Sequence, residues 1–170
     1  MKKSLFTFVV LLSITACGYK PSSQFVPQVI GDKVYTVVDV SLSDPENSVL
    51  TKDALNKALY SRLKTLASSK QEAQSTLKVS YHAIQFIPLQ YDRNGFVVYY
   101  QANIRLKFEF QNGEKRCERI MTGRYEFPIR PSAVISNALR FQAIEKGSIQ
   151  ALNRFISHLS SKGLLKYESQ

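Results

Sequence analysis

Two Asn-Gly dipeptides constrain the fold of this chain more than any other feature of its sequence. Asn94-Gly95 and Asn112-Gly113 each lie between segments in which apolar and polar residues alternate, a pattern typical of β-hairpins with two-residue turns. With each dipeptide at the centre of its turn, apolar residues face one another across both hairpins. The predicted partners are Phe108/Cys117, Ile104/Met121, Tyr100/Tyr125 and Val98/Phe127 across the second turn, and Ala83/Leu106, Ile87/Ala102, Leu89/Tyr100 and Tyr91/Val98 across the first.

This register predicts a three-stranded antiparallel meander over residues 76–127. A slip of one residue would move every apolar side chain to the opposite face of the sheet. Gln85 and Arg119 are polar residues that the register places on the apolar inner face, where they do not fit. The other face pairs residues of opposite charge, which stabilises neighbouring strands: Glu109/Arg116 and Lys107/Glu118.

The segments on either side of the meander add one strand and two helices. Residues 33–42 are rich in β-branched residues and roughly alternate, which predicts a strand. After a turn over residues 44–48, apolar residues recur at helical spacing to about Ser69, and a second stripe runs from Ser136 to Ser161 with Gly163 as a stop. The stripes comprise Ala54, Leu55, Ala58, Leu59, Leu63 and Leu66 in the first helix, and Phe141, Ile144, Leu152, Phe155 and Leu159, interrupted by Ser148, in the second.

The order β-α-β-β-β-α predicts an α+β fold. Two amphipathic helices have one sheet face to cover, so we expect a two-layer sandwich. Its sheet would be four-stranded and mostly antiparallel, with both helices on one face.

The N-terminus is typical of a cleaved secretory signal. Two lysines precede a short apolar run over residues 5–14, followed by small residues. Ile14-Thr15-Ala16-Cys17 resembles a bacterial lipobox, in which Cys17 becomes the lipid-carrying first residue, and Gly18 favours the outer membrane over the inner one. A plain signal peptide or an uncleaved anchor is the alternative. The predicted organisation is a signal over residues 1–16, a lipidated cysteine and tether over 17–32, one domain over 33–163 and a frayed tail over 164–170.

The charge of the chain limits its partners. The formal net charge is +10, and residues 1–16 carry two lysines and no acid, which leaves +8 without them. A basic domain at a bacterial envelope favours an anionic partner, such as phospholipid, lipopolysaccharide or an acidic protein surface, over nucleic acid. A basic surface that is merely solvated is the alternative.

No catalytic constellation occurs in the sequence. The motifs for an activated serine, a phosphate-binding loop and a zinc-binding histidine pair are absent. His82, His158 and Cys117 lie far apart and form no metal-ligand pattern. We therefore expect a protein that is not an enzyme and that holds no metal or cofactor.

Basic residues at predicted turns and near a helix start are the candidate anion-binding groups. Arg93 lies in the first turn, Lys115 lies beside the second, and Arg130 and Arg140 lie near the start of the second helix. Such residues suit the recognition of phosphate or carboxylate. The alternative is that they are only exposed.

An apolar group on the outer sheet face is the candidate partner surface. The predicted register places Ile84, Phe86 and Ile120 there, with Tyr99 nearby. The face without helices should be polar, so an apolar group on it indicates a partner. A segment of this chain that folds over the face is the alternative.

Several of these features together resemble the LptE family of lipopolysaccharide-assembly lipoproteins, also called rare lipoprotein B. They are Cys17-Gly18-Tyr19, the Asp-Pro turn before the first helix, the Arg93-Asn94-Gly95 hairpin and the order of the elements over about residues 17–160. The resemblance implies a lipid-anchored plug inside the LptD β-barrel of the outer membrane, which helps that barrel assemble. It also implies lipopolysaccharide binding through Arg93 and Arg140. A scaffold lipoprotein of another envelope complex, without glycolipid binding, is the alternative.

Overall fold

The fold has the predicted order of elements. A computed structural model describes residues 33–39, 45–63, 69–130 and 134–167. Within them the sheet has the strand order β1-β2-β3-β4, with β1 parallel to β2 and the other neighbours antiparallel. The α+β fold is therefore confirmed. Its elements are β1 Val34–Asp39, α1 Pro45–Arg62, β2 Ser75–Tyr91, β3 Val97–Asn112, β4 Lys115–Pro128 and α2 Asn137–Tyr167.

The ends of both helices differ from the prediction. α1 begins at Pro45, because proline has a helical φ and its missing N–H is harmless in the first turn. α2 continues through Gly163 to Tyr167, so the predicted stop at Gly163 is wrong. A glycine within a helix costs only about 1 kcal/mol and does not by itself end it. No helix among the described residues is long and apolar enough to cross a membrane.

Several predicted features lie outside the described residues. They include the signal, Cys17, the tether over residues 17–32, the end of the first predicted strand at 40–42, and Leu66 of the first apolar stripe. The domain limits that depend on them stay predictions.

Both helices pack on one face of the sheet in a single core. The rings of Phe108 in β3 and Phe155 in α2 stack with their centroids 4.6 Å apart. Between α1 and α2, Lys57 contacts the largely buried carboxylate of Glu145 at 3.1 Å and lies 5.5 Å from the ring centre of Phe141. Other fully buried members of this core are Leu55, Leu59, Leu77, Val79, Ile104, Leu106, Ile144 and Leu152.

The serine that interrupts the stripe of α2 lies in a polar contact within the core. Ser148 is fully buried and its hydroxyl makes no hydrogen bond among the described residues, but it acts electrostatically on the hydroxyl of Tyr81 in β2. That hydroxyl donates a hydrogen bond to the carbonyl oxygen of Thr51 in α1 at 3.2 Å. Burial raises the pKa of Tyr81, and the contact with Ser148 lowers it by less. Through its hydrogen bond to Thr51, Tyr81 joins the sheet to α1.

The second hairpin has its predicted faces but a different register. Asn112 faces Lys115, and Gly113 begins the two-residue turn with a φ of +55°. Cys117 therefore faces Phe110 instead of Phe108, and the other predicted pairs are wrong by the same two residues. Because the shift is even, every side chain keeps its predicted face.

The shift also rearranges the charges on the outer face. Glu109 faces Glu118, not Arg116. Lys107 contacts both carboxylates, at 3.3 Å and 3.0 Å, and their hydrogen bonds raise its pKa. Like charges directly opposite each other would destabilise the pair of strands, so Lys107 offsets this contact. Arg116 faces Gln111 and is exposed.

The first hairpin contains a bulge that was not predicted. Tyr81 faces Leu106 but Ala83 faces Arg105, so His82 is an extra residue in β2. A bulge of one residue exchanges the two faces of the strand beyond it. Gln85 consequently lies on the outer face, which removes the misfit in the predicted register. Arg119 remains on the helix side of edge strand β4, where it is exposed.

The helix α2 sits close to β4. A β-carbon added to Gly123 would overlap the backbone carbonyl of Gly147 and lie 2.8 Å from the backbone nitrogen of Ala151. Two side chains of α2 also reach the backbone at the outer edge of β4. Arg154 donates to the carbonyl oxygen of Thr122 at 2.6 Å, and the amide oxygen of Gln150 accepts the N–H of Arg124 at 2.8 Å.

Candidate anionic-ligand site at one end of the sheet

The turn between β2 and β3 presents Arg93 at its apex. The carboxylate of Asp92 accepts the backbone N–H groups of Asn94 at 2.9 Å and Phe96 at 2.8 Å. Gly95 has a φ of +83° and donates its N–H to the carbonyl oxygen of Asp92 at 3.1 Å. The N–H of Asp92 donates to the carbonyl oxygen of Phe96 at 2.8 Å, so the loop has three residues, 93–95, rather than the predicted two. Arg93 is held exposed at the end of the hairpin.

Arg130 lies near this turn because the chain continues beside β3 after β4 ends. The N–H of Ile129 donates to the carbonyl oxygen of Val98 at 2.9 Å. Ile129 is buried, and the next residue, Arg130, is exposed. Among the described residues no ion pair joins Arg93 or Arg130 to a carboxylate.

Arg140 is held by an aromatic ring at the start of α2. Its guanidinium lies 5.8 Å from the ring centre of Phe86, a cation–π distance. Phe86 belongs to an aromatic cluster of Phe86, Tyr100, Tyr125 and Phe127, in which each of the other three rings lies 6.1 or 6.2 Å from the ring of Phe127. Arg140 is thus a half-buried, positioned cation beside an apolar surface.

The four predicted anion-binding residues divide between the two ends of the sheet. Three of them lie towards the end formed by the β2–β3 turn: Arg93, Arg130 and Arg140. Arg140 lies over Phe86, which is seven positions before Arg93. Lys115 opens β4 opposite Asn112 at the other end. Lys115 faces Asn112, fifteen residues along β3 from Val97, so at a strand rise of about 3.3 Å per residue it is roughly 50 Å from that turn. The structure therefore places Arg93 and Arg130 near the same turn, Arg140 roughly 23 Å along β2 from Arg93, and Lys115 at the opposite end of the sheet.

The predicted apolar surface on the outer face does not form. Ile84 faces Ile104 and Phe86 faces Ala102. Ile104 and Ala102 are buried on the helix side of the sheet, so the predicted outer placement of Ile84 and Phe86 is wrong. The bulge at His82 is the cause. Ile84 and Phe86 therefore do not lie on the outer face, where they were predicted to contact a partner.

The remaining two residues of that surface lie far from each other. Tyr99 faces Pro128 and Ile120 faces Lys107. Eight residues of strand, roughly 26 Å, separate these positions. Around them the outer face is polar, with Lys78 paired to Asp39 at 3.2 Å among its contacts.

Sequence reasoning missed an apolar ribbon beyond the end of β4. We call residues 89–98 the ribbon. Here β2 and β3 pair with each other across their turn, beyond the last partners of β3 and β4 at Tyr99 and Pro128. Leu89, Tyr91 and Phe96 are 46%, 57% and 46% exposed. The sequence carried a signal for it, since apolar residues flank the Arg93-Asn94-Gly95 turn on both sides.

Comparison with solved structures finds chains that are similar over most of their length, two of them named as lipoproteins. Rare lipoprotein B from Shewanella oneidensis has 13% identity and a TM-score of 0.49, over 79% of this chain and 98% of that one. A protein described as a lipoprotein from Caulobacter crescentus has 10% identity and a TM-score of 0.49, over 85% and 96%. A protein from Xanthomonas campestris has 12% identity and a TM-score of 0.47, over 80% and 87%. At these values no statement about function rests on them.

Neither a protein-family model nor a curated protein matches the sequence. Among the described residues, no group of three His, Cys, Asp or Glu side chains is placed to hold a metal ion.

Proposed function

We propose that this protein is a non-catalytic lipoprotein subunit of an outer-membrane translocon that exports lipopolysaccharide. In this role it sits in the lumen of an LptD-type β-barrel, helps that barrel assemble and binds lipopolysaccharide. The observation that carries the proposal is the arrangement of Arg93, Arg130 and Arg140 towards one end of the sheet. The resemblance of the sequence to the LptE family supports it.

The chemistry of the three arginines fits a phosphorylated glycolipid. A guanidinium binds a phosphate through two parallel N–H donors, and lipid A carries phosphates on an apolar body. The arginines lie beside apolar surfaces, namely the aromatic cluster at Arg140 and the ribbon at Arg93. Lys115 is left out of the proposed site because it lies at the opposite end of the sheet.

The polar outer face of the sheet fits a place inside a barrel. The lumen of a large outer-membrane barrel is polar and wet, so an insert should present polar side chains to it. The outer face carries Lys107 with its two glutamates, and the side-chain amide of Gln101 donates to Glu126 at 2.9 Å. This replaces the apolar patch of the predicted register as the basis for a barrel contact.

The test compares two charge reversals in the full chain. Arg93→Asp should weaken lipopolysaccharide binding at least about tenfold, which corresponds to about 1.4 kcal/mol. Lys115→Asp removes the same charge beside the other turn and should bind like the original chain. Equal binding by both variants, or equal loss in both, would contradict the assignment of Arg93.

A pull-down in mild detergent tests the partner. Recovery of one large β-barrel in a one-to-one complex would support the translocon subunit. Recovery of other envelope proteins without such a barrel would favour the scaffold lipoprotein instead.

A further inference from the structure

β4 is an edge strand with backbone groups that point away from the sheet. It is the last strand in the order β1-β2-β3-β4, so it has a neighbouring strand on one side only. The carbonyl oxygen of Thr122 and the N–H of Arg124 point away from β3, since side chains of α2 bond to them. The direction of these groups alternates along an antiparallel strand. Arg116, Glu118 and Ile120 therefore also direct their N–H and carbonyl groups outward.

The backbone and exposure of β4 over residues 115–121 leave this edge open among the described residues. Proteins protect an edge strand with a β-bulge, a proline, a covering segment or charged side chains. β4 pairs with β3 without a bulge from Lys115 to Pro128, and that last residue is its only proline. From Lys115 to Ile120 every residue except Cys117 is exposed. Charge is therefore the protective device that this stretch carries.

The charges on this stretch are unbalanced, and they select the partner. Lys115, Arg116 and Arg119 are exposed, and among the described residues no ion pair joins them to a carboxylate. The one acid of the stretch, Glu118, is already held by Lys107 at 3.0 Å. A second copy of β4 alongside the first would bring the cations of both copies together, which is unfavourable. A strand that carries carboxylates would neutralise them.

We infer that residues 115–121 of β4 bind an extended acidic segment of a partner protein as a fifth strand of the sheet. In such strand addition, main-chain hydrogen bonds give affinity and alternate side chains give specificity. Lys115 and Arg119 lie on the helix side of β4, with Cys117 between them. The partner segment therefore presents carboxylates on that side. On the other side it presents apolar side chains, where Ile120 is 45% exposed. The inference goes beyond the proposed function, because it uses neither the arginines near the β2–β3 turn nor lipopolysaccharide.

Two synthetic peptides test this edge in the full-length chain, which is held in detergent micelles. One peptide alternates valine and glutamate, so that as a strand it has an acidic face and an apolar face. The matched control peptide alternates valine and lysine. Amide hydrogen exchange, measured by NMR, reports on the outward N–H groups of Arg116, Glu118 and Ile120. The N–H of Arg124, which Gln150 already accepts, is the internal control.

Strand addition should protect the outward N–H groups from exchange. The glutamate peptide should slow exchange at Arg116, Glu118 and Ile120 at least about tenfold and leave exchange at Arg124 unchanged. The lysine peptide should have no effect on any of them. The double variant Lys115→Glu with Arg119→Glu changes two exposed side chains and should reverse the choice, so that the lysine peptide slows exchange instead.

Three outcomes would overturn the inference. Unchanged exchange with both peptides would mean that the edge accepts no strand. Equal slowing by both peptides would mean that the cations do not select the partner. Slowing that needs no peptide and grows with protein concentration would assign the edge to a second copy of the chain. None of these outcomes bears on the lipopolysaccharide binding measured with Arg93→Asp and Lys115→Asp.

Discussion

A close approach between α2 and β4 allows a sharp test of how the helix is seated. Gly123 of β4 faces Gly147 of α2, and a β-carbon at Gly123 would overlap the backbone carbonyl of Gly147. At Gly147, an added β-carbon would instead meet the side chain of Ile104. The distance from this added atom to the β-carbon of Ile104 would be 3.2 Å. We therefore expect Gly123→Ala to destabilise the fold much more than Gly147→Ala.

The nature of the obstacle sets the two magnitudes. An extra methyl in a packed core costs about 1–3 kcal/mol, and more when backbone has to move. At Gly123 the obstacle is backbone, and α2 cannot retreat without loosening its buried Leu152 and Phe155, so we expect a loss of about 3 kcal/mol. At Gly147 the obstacle is the buried side chain of Ile104, which can shift more easily than backbone can, and alanine favours a helix by about 1 kcal/mol. The net loss should then be about 1 kcal/mol.

Thermal and urea unfolding of both variants, followed by circular dichroism, measures the difference. For a chain of this length, about 1 kcal/mol lowers the melting temperature by roughly 2–4 °C. Gly123→Ala should therefore melt about 9 °C lower, and Gly147→Ala about 3 °C lower. A loss at Gly123 no larger than the loss at Gly147 would refute the placement of α2 on β4.

Two further predictions concern contacts between the helices and the sheet. Burial raises the pKa of Tyr81, so the folded state keeps a proton that the unfolded state loses, and stability should fall as pH rises through about 10. Tyr81→Phe should lower the free energy of unfolding by about 1 kcal/mol below that pH. It should also reduce the fall of the urea midpoint at high pH, and the fall that remains should come from Lys107. An unchanged fall of the urea midpoint would contradict this prediction. Lys57→Met should lower the free energy of unfolding by about 1–3 kcal/mol, because it leaves the carboxylate of Glu145 buried without its cation. The double variant with Glu145→Gln should recover part of the lost urea midpoint.

The layer structure could be predicted because several local signals agree. Apolar stripes at helical spacing and alternation around the two turns point to the same two-layer fold. The faces of β3 and β4 were correct even though their partners were not, since a shift by two residues preserves the face of each side chain. Turn chemistry decided this shift, with Gly113 at the start of its turn rather than in second place.

The faces of β2 beyond its bulge could not be predicted from alternation alone. His82 adds one residue, after which Ile84 and Phe86 join the core side and Gln85 leaves it. The misfit of Gln85 was the available signal that the alternation changed before that residue. Without a known bulge position, an apolar residue such as Phe86 looks equally suited to either face.

The candidate site was predictable in its residues but not in its surroundings. Arg93 was found because a turn exposes its apex. The ribbon around it depends on where β4 ends relative to β2 and β3, which is a property of tertiary packing. The separation of Lys115 from Arg93 follows from the length of β3, and the sequence already contained that information.

The side chains that α2 sends to the rim of β4 limit how another chain could extend the sheet. An exposed edge strand can pair with any extended segment, which leads to strand addition or aggregation. Arg154 and Gln150 occupy the outward carbonyl of Thr122 and the outward N–H of Arg124, so pairing is blocked there. The earlier outward positions, from Arg116 to Ile120, have no such cover among the described residues. An added strand would therefore be confined to the half of β4 next to its turn with β3, at the end opposite the ribbon.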